Sequence, residues 1–197
     1  GLFRLFKADN PKLELQADSL DLLLLIPHPD GASVLSLPER LAADPEAAAA
    51  AQAVLGTSPK DAVYRRIETQ LLLAFTACPK VEVPTQSPDR LLQLRIYESH
   101  NEERALRKIE MFNTGGEIAL FRKVGLNPVF FGQSVAGTRM PNLTYMVGFE
   151  NQAAMATAWD AFMKRPEWDK MKNDPRYADT VSNITNTVLR PLPGSQI

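Results

Sequence analysis

The feature that most constrains the fold is the order of strand-like and helix-like segments in the second half of the chain. Polar and apolar residues alternate from Leu91 to Glu98, which is typical of a half-buried strand. A helical period follows, then two alternating segments around the turn at 137–142, a second helical segment and a last alternating segment at 181–189. This order predicts the β-α-β-β-α-β unit of ferredoxin-like domains.

Cap and break residues set the bounds of the predicted helices. Residues 99–103 supply cap-type side chains and an acidic first turn, which favours a helix beginning there. Gly115-Gly116 interrupts that helix, because each interior glycine costs about 1 kcal/mol relative to alanine. Gly125 ends it, and Asp174-Pro175 ends the second helical segment.

The first half of the chain is interpreted as an incomplete copy of the same unit. The aligned positions are Leu22 with Leu143, Leu24 with Tyr145, Ile26 with Val147, and 67–72 with 184–189. Leu2–Phe6 then corresponds to the second strand, so that the first strand and first helix of this copy are missing. We predict an α+β fold with tandem ferredoxin-like units, the first incomplete at 1–84 and the second at 90–197, joined by a linker at 84–89.

Composition excludes several classes of protein. The 197 residues carry a net charge of −1, with a pI of about 6.2, so no basic excess indicates nucleic-acid binding. One cysteine, Cys78, excludes an intrachain disulfide framework, and two histidines make a histidine-rich metal centre improbable. We therefore predict no metal and no cofactor.

The chain contains no segment that predicts a membrane span. Its longest apolar run, Leu22–Ile26, is far shorter than a bilayer requires. No signal peptide is evident, and the start at Gly1 suggests a trimmed N-terminus, so cytoplasmic and exported locations both stay open.

Several stretches of the second half resemble the NIPSNAP family. They are Leu94–Glu98, Glu110–Asn113, Gly125–Gly132, Arg139–Tyr145, Gly148-Phe149, Trp159 with Phe162, Pro166–Trp168 and Ser182–Ile184. The resemblance implies a dimeric α/β barrel in which ferredoxin-like sheets pack together, between chains or within one, and therefore a homodimer or higher oligomer. The family's biochemical activity is poorly defined, so the resemblance supplies no set of catalytic residues.

The alternation of the first strand predicts two faces. We expect Leu92, Leu94 and Ile96 to face the helices, and Gln93, Arg95 and Tyr97 to face the partner sheet. The last strand presents a similar polar row, 181–189 at every second position. Polar groups at that place indicate either a cavity that binds a small molecule or interface residues that hydrogen-bond across the barrel.

The candidate pocket therefore comprises Arg95, Tyr97, His100, Arg139, Tyr145 and Asn183. His100, at the end of the first strand, is interpreted either as a general base or as a polar residue entering the helix. Arg139, in the hairpin turn, could clamp an anionic ligand or tie the turn to a carboxylate.

The first helix carries polar residues at spacings of three and four. Glu110, Asn113 and Glu117 could serve acid–base chemistry or a metal if they share one side of the helix. The favoured interpretation is a solvated face, which neighbouring basic residues such as Lys108 support.

Three functions stay open. The favoured hypothesis is a NIPSNAP-like protein that binds a small molecule or another protein. The alternative is a cofactor-independent enzyme, monooxygenase-like or isomerase-like, that uses Tyr97, His100, Arg95 or Arg139; it rests on fold analogy. A haem protein is the third, with His100 or His28 as the axial ligand. No phosphate-binding loop, nucleophile elbow or zinc motif is present.

Overall fold

The computed structural model describes residues 1–15, 21–55 and 58–197, without the side chains of 53–55. The strands are β1 Leu2–Leu5, β2 Asp21–Leu24, β3 Leu71–Ala74, β4 Leu91–Glu98, β5 Asn127–Ala136, β6 Asn142–Phe149 and β7 Asn183–Pro191. The helices are α1 Gly31–Leu35, α2 Leu37–Ala43, α3 Pro45–Leu55, α4 Glu102–Asn113, α5 Glu117–Lys123, α6 Gln152–Met163 and α7 Pro166–Lys172.

The chain folds into two compact units. The larger unit comprises Gly1–Leu25 and Gln70–Ile197, and it contains all seven of these strands. The smaller unit, Ile26–Thr69, contains α1, α2 and α3. In the smaller unit the carboxylate of Asp30 caps α1 by accepting from the Ser33 amide at 2.8 Å.

The seven strands form one curled sheet in the order β2-β1-β7-β4-β6-β5-β3, and all neighbours are antiparallel. The inner four, β7-β4-β6-β5, belong to the second half of the chain. With α4–α5 and α6–α7 they complete the β-α-β-β-α-β order, which confirms the ferredoxin-like prediction for that half. The strands of the first half join the two edges of this same sheet. The boundary between residues 84 and 90 stays a prediction.

The predicted helix signals act where they were expected. The Asn101 side chain caps α4 by accepting from the Arg104 amide at 2.9 Å. Gly116 has a φ of 92°, in the left-handed region that favours glycine, and it separates α4 from α5. The chain therefore turns there, and α5 begins with a new orientation at Glu117.

One face of the sheet is covered by α4, α5, α6 and α7, and we call it the helix side. Its core is a cluster of aromatic rings around Phe112, which is fully buried. Phe112 lies 5.3 Å from the ring of Tyr145 and 5.8 Å from the ring of Phe121, centroid to centroid. Aromatic pairs at such separations stabilise a core beyond the area that they bury.

The opposite face of the sheet is called the open face, and it has a separate apolar cluster. Phe3, Leu92, Leu94, Met146 and Leu189 are among its buried members, and its described residues come from strands, loops and the C-terminus rather than from α4–α7.

The prediction of which β4 residues face the helices was therefore wrong. Leu92 and Leu94 lie on the open face, whereas Gln93 and Tyr97 contact side chains of the helix layer. Alternation defines two faces but does not say which one the helices cover. Phe3 and Leu189 supply an apolar partner that the local pattern of β4 could not reveal.

Candidate functional site

An open cleft of about 500 Å³ lies at one end of the open face. Its polar lining residues are Lys12, Glu14, Glu98, Arg139, Asn183 and Thr185. Glu98 ends β4, Asn183 begins β7, and the two are paired across the strands. The open face therefore changes from an apolar cluster to a charged cleft along the direction of its strands.

Arg139 reaches the cleft from the turn between β5 and β6. One terminal nitrogen, Nη1, donates to the Thr185 hydroxyl at 2.8 Å. Its backbone has a φ of 58°, a conformation that non-glycine residues adopt rarely and at a cost of about 1–3 kcal/mol. Buried Asn142 holds this turn, because its amide nitrogen donates to the carbonyls of Thr138 and Arg139, both at 3.1 Å.

Glu98 and Arg139 bring opposite charges to the same cleft without pairing. Glu98 accepts from the Asn183 side-chain amide at 2.8 Å, and Arg139 bonds the neutral Thr185. Among residues 1–15, 21–55 and 58–197, neither charge takes part in an ion pair. Both therefore keep hydrogen-bonding capacity for a bound molecule.

A neutral polar cluster lies on the same face around the Asn142 side chain. The side-chain amide of Gln70 donates to Ser134, Asn142 and Thr144 at 3.2, 3.0 and 3.3 Å. The sequence analysis missed this cluster. The alternation of polar Asn142 and Thr144 with apolar Leu143 was the available signal, but Gln70 joins only through the long-range pairing of β3 with β5.

Three of the predicted pocket residues lie on the helix side instead. The Tyr145 hydroxyl donates to the Tyr97 hydroxyl at 3.0 Å, and burial raises the pKa of both phenols, that of Tyr145 well above its ordinary value. The guanidinium of Arg95 lies 4.6 Å from the ring centre of Trp159. Arg95, Tyr97 and Tyr145 therefore form a group of their own, separated by the sheet from Arg139 and Asn183.

The helix side also holds a buried ion pair that the sequence analysis assigned to a solvated face. Lys108 Nζ lies 2.8 Å from a carboxylate oxygen of Glu117, and the side chains are 5% and 2% exposed. Burial raises the pKa of Glu117, while Lys108 opposes that change. The rule of helical spacing failed because α4 ends at Asn113, so that Glu117 belongs to α5 and turns inward.

The two histidines belong neither to the cleft nor to the helix-side group of Arg95, Tyr97 and Tyr145. His100 is exposed, and no hydrogen bond or ion pair joins it to another described residue, so its proposed role as a general base has no supporting contact. The His28 Nδ1 lies 3.0 Å from the Ser33 hydroxyl in the smaller unit. Within the described ranges, no group of three or more acidic, histidine or cysteine side chains could hold a metal ion.

Cys78 is buried on the helix side. Burial, with Glu82 nearby, raises the pKa of its thiol to about 11. A thiol that keeps its proton at neutral pH is a poor nucleophile, which agrees with a structural role. In the part of the chain that the structure describes, no helix has the length and apolar character needed to cross a bilayer.

The fold and the two-sided sheet define a ferredoxin-like α+β protein, and comparisons with known proteins place it more closely. The sequence pattern of the NIPSNAP family matches residues 92–196. The chain belongs to the NIPSNAP family.

A solved structure agrees on the fold. The chain is similar to an uncharacterized NIPSNAP-like domain protein from Burkholderia xenovorans, at 18% identity and a TM-score of 0.50, over 55% of this chain and 90% of that one. It is also similar to a NIPSNAP family protein from Agrobacterium tumefaciens, at 17% identity and a TM-score of 0.48, over 55% and 98% of the two chains. No curated protein matches the chain significantly.

Proposed function

We propose that the chain binds a small molecule with a carboxylate or similar anionic group in the open-face cleft. The observation that carries the proposal is that two opposite charges, Arg139 and Glu98, line one cleft of about 500 Å³, and neither forms an ion pair with a described residue. That volume lies in the range of protein sites for small ligands.

The chemistry of the lining residues defines the ligand. The guanidinium of Arg139 keeps donors beyond the one that bonds Thr185, and a planar fork of N–H groups matches a carboxylate in two-point contact. Glu98 and the Asn183 carbonyl oxygen accept hydrogen bonds, so a hydroxyl or ammonium group on the same molecule would be held across the cleft. A small hydroxy acid or amino acid combines these groups.

The conformation of Arg139 supports a role in binding rather than in folding. A residue in the left-handed region is strained, and such strain concentrates at binding sites. Glycine would fill the same turn without strain. An arginine therefore stands where folding alone favours glycine.

The residues named for the enzyme alternative do not share one cavity. It drew on Tyr97, His100, Arg95 or Arg139, but Tyr97 and Arg95 lie on the helix side and His100 is exposed, so that Arg139 alone of these four lines the described cleft. In the part of the chain that the structure describes, neither histidine has a contact that supports the haem alternative. Binding without an assigned reaction is the function that these residues support best.

The experiment begins with native mass spectrometry of the purified protein, to detect a small acid that is carried along. Lactate, succinate and glutamate are then titrated by calorimetry into the wild type, Arg139→Gly and Arg139→Lys. Arg107→Ala is the matched control, because Arg107 is exposed on α4 and, among the described residues, bonds only Glu103 and Glu110.

We expect at least one acid to bind, Arg139→Gly to weaken it by about tenfold or more, and Arg139→Lys to weaken it less, since lysine keeps the charge but loses the fork. Arg107→Ala should leave the affinity unchanged. Binding that Arg139→Gly leaves intact would contradict the proposal, and so would the absence of both a carried mass and binding at about 1 mM.

A further inference from the structure

The helix side holds one cation that lacks a carboxylate partner. Arg95 of β4 is half-buried, and its guanidinium carbon lies 4.6 Å from the ring centre of Trp159 and 5.3 Å from that of Tyr97. Its Nε is buried without a hydrogen-bond partner, and no ion pair joins it to any residue that the structure describes. A partly buried charge is costly unless an opposite charge and a hydrogen-bond acceptor accompany it.

The carboxylate that lies in this group already has a partner. Glu117 accepts from Lys108 at 2.8 Å, and both side chains are buried. Lys108 is itself a second cation beside the Tyr97 ring, 5.6 Å from its centre. Burial raises the pKa of Glu117, and the charges of Lys108 and then of Arg95 oppose that change. Arg95, Lys108 and Glu117 together therefore carry an excess of positive charge.

Trp168 contributes a second donor without an acceptor. Its indole Nε1 is buried and has no hydrogen-bond partner within the described ranges. Lys108 Nζ lies 5.7 Å from the ring centre of Trp168 and 5.6 Å from that of Tyr97, the ring that Arg95 also approaches. A water molecule can satisfy either N–H group, but only an anion also neutralises the excess charge.

The rings beside Arg95 define the body of this anion. Trp159 and Trp168 are half-buried, so each presents part of an apolar ring to solvent. A carboxylate matches the guanidinium fork in two-point contact, and a flat apolar group stacks favourably on an indole. We infer that Arg95, Trp159 and Trp168 bind a carboxylate that carries a flat apolar group. This site lies across the sheet from the Arg139 cleft and does not depend on the function proposed for the cleft.

Benzoate is the probe for this site, because it joins a carboxylate to a flat ring. The intact ¹⁵N-labelled protein is titrated, and the two indole N–H signals are followed by NMR. Benzyl alcohol is the neutral control, since it keeps the ring and lacks the charge. Acetate is the second control, since it keeps the charge and lacks the ring.

Variants of Arg95 identify the group that binds the carboxylate. Arg95→Met keeps an unbranched stem beside Trp159 and removes the charge, whereas Arg95→Lys keeps the charge and removes the fork. Arg107→Met is the matched control, because Arg107 is exposed on α4. Arg139→Gly shows whether the cleft takes part. The amide spectrum of each variant shows that it is folded.

We expect benzoate to move both indole signals with a Kd of about 1 mM or tighter, and both control compounds to bind at least about tenfold more weakly. Arg95→Met should weaken benzoate binding by about tenfold or more, and Arg95→Lys by about threefold or more, because lysine cannot make the two-point contact. Arg107→Met and Arg139→Gly should leave the Kd unchanged.

Three results overturn the inference. The first is a pair of indole signals that stay in place at about 10 mM benzoate. The second is a Kd that Arg95→Lys leaves unchanged, a test that stands even where Arg95→Met does not fold. The third is benzoate binding that Arg139→Gly abolishes, which would place the anion in the cleft and support the proposed function instead.

Discussion

The charged groups and hydroxyls described above are paired differently on the two faces of the sheet, although the buried Nε of Arg95 and Nε1 of Trp168 on the helix side have no hydrogen-bond partner among the described residues. On the helix side, Lys108 is paired with Glu117, and the hydroxyl of Tyr97 is paired with that of Tyr145, all of them buried. On the open face, Arg139 and Glu98 are accessible and lack partners of opposite charge among the described residues. Buried polar groups that hydrogen-bond to one another stabilise a fold, whereas accessible polar groups with unused hydrogen-bonding capacity can bind a ligand.

The largest expected effect is a loss of stability when the buried ion pair of the helix side is broken. Lys108→Met leaves the Glu117 carboxylate buried without its partner, so we expect the free energy of unfolding at pH 7 to fall by about 3–5 kcal/mol. The double variant Lys108→Met/Glu117→Leu removes both charges and should recover most of that loss. Urea denaturation of the three proteins measures the difference. Equal losses in the single and double variants would show that the pair itself is unimportant.

A smaller effect is expected at the paired tyrosines. Tyr145→Phe keeps the ring stacked on Phe131, at 4.8 Å between centroids, but leaves the Tyr97 hydroxyl without its donor. We expect a loss of about 1–3 kcal/mol in unfolding free energy, the range for an unsatisfied buried group. Tyr64→Phe, at an exposed tyrosine of the smaller unit, is the control. A Tyr145→Phe protein as stable as the control would place the hydroxyl in contact with water.

The pH dependence of stability tests the role of the buried ion pair on the helix side. Burial raises the pKa of Glu117 above 4.5, so the folded protein keeps this proton to a higher pH than the unfolded chain does. The contribution of Glu117 is therefore complete below about pH 4.5 and is lost as pH rises towards the raised pKa, by at most about 1.4 kcal/mol per pH unit.

Lys108→Met should extend this loss to higher pH, because Lys108 lowers the pKa of Glu117. Lys108→Met/Glu117→Leu should lack it. Denaturation of both variants between pH 4 and pH 8 measures the difference in slope. Identical slopes in the two variants would contradict the assignment of the titration to Glu117.

The smallest effect is expected on the open face. Arg139→Gly removes a strained backbone conformation, so its unfolding free energy should stay within about 1 kcal/mol of the wild type and tend towards greater stability. Thermal unfolding without ligand measures it. A loss comparable to that of Tyr145→Phe would mean that Arg139 serves the fold, and the contrast between the two faces would fail at this residue.

The sequence predicted the order of elements in the second half, because periodicity, caps and the Gly115-Gly116 break are local signals. It could not predict which face of β4 meets the helices, since alternation is symmetric. It placed Glu117 on a solvated face because helical spacing was extended across a break that reorients the chain. Arg139 and Asn183 do line one cleft, and their role in binding stays a prediction.

The long-range pairings were beyond local signals. Gln70 meets Asn142, and Leu5 meets Leu189, only because β3 and β1 join opposite ends of the sheet. Neither partner carries a pattern that identifies the other. Such contacts depend on the whole topology, whereas a helix or a hairpin depends on neighbours along the chain.

The positions of Trp159 and Trp168 determine which changes in this protein tryptophan fluorescence can detect. Both belong to the helix side, where the Trp159 indole donates to Gln93 and the Trp168 ring lies 4.7 Å from that of Phe162. They are the only two tryptophans in the chain. Their emission will follow the loss of helix packing during unfolding, but a molecule that enters the cleft beside Arg139 will leave it nearly unchanged. A fluorescence screen would therefore miss such a ligand, unless a new tryptophan were placed on the open face.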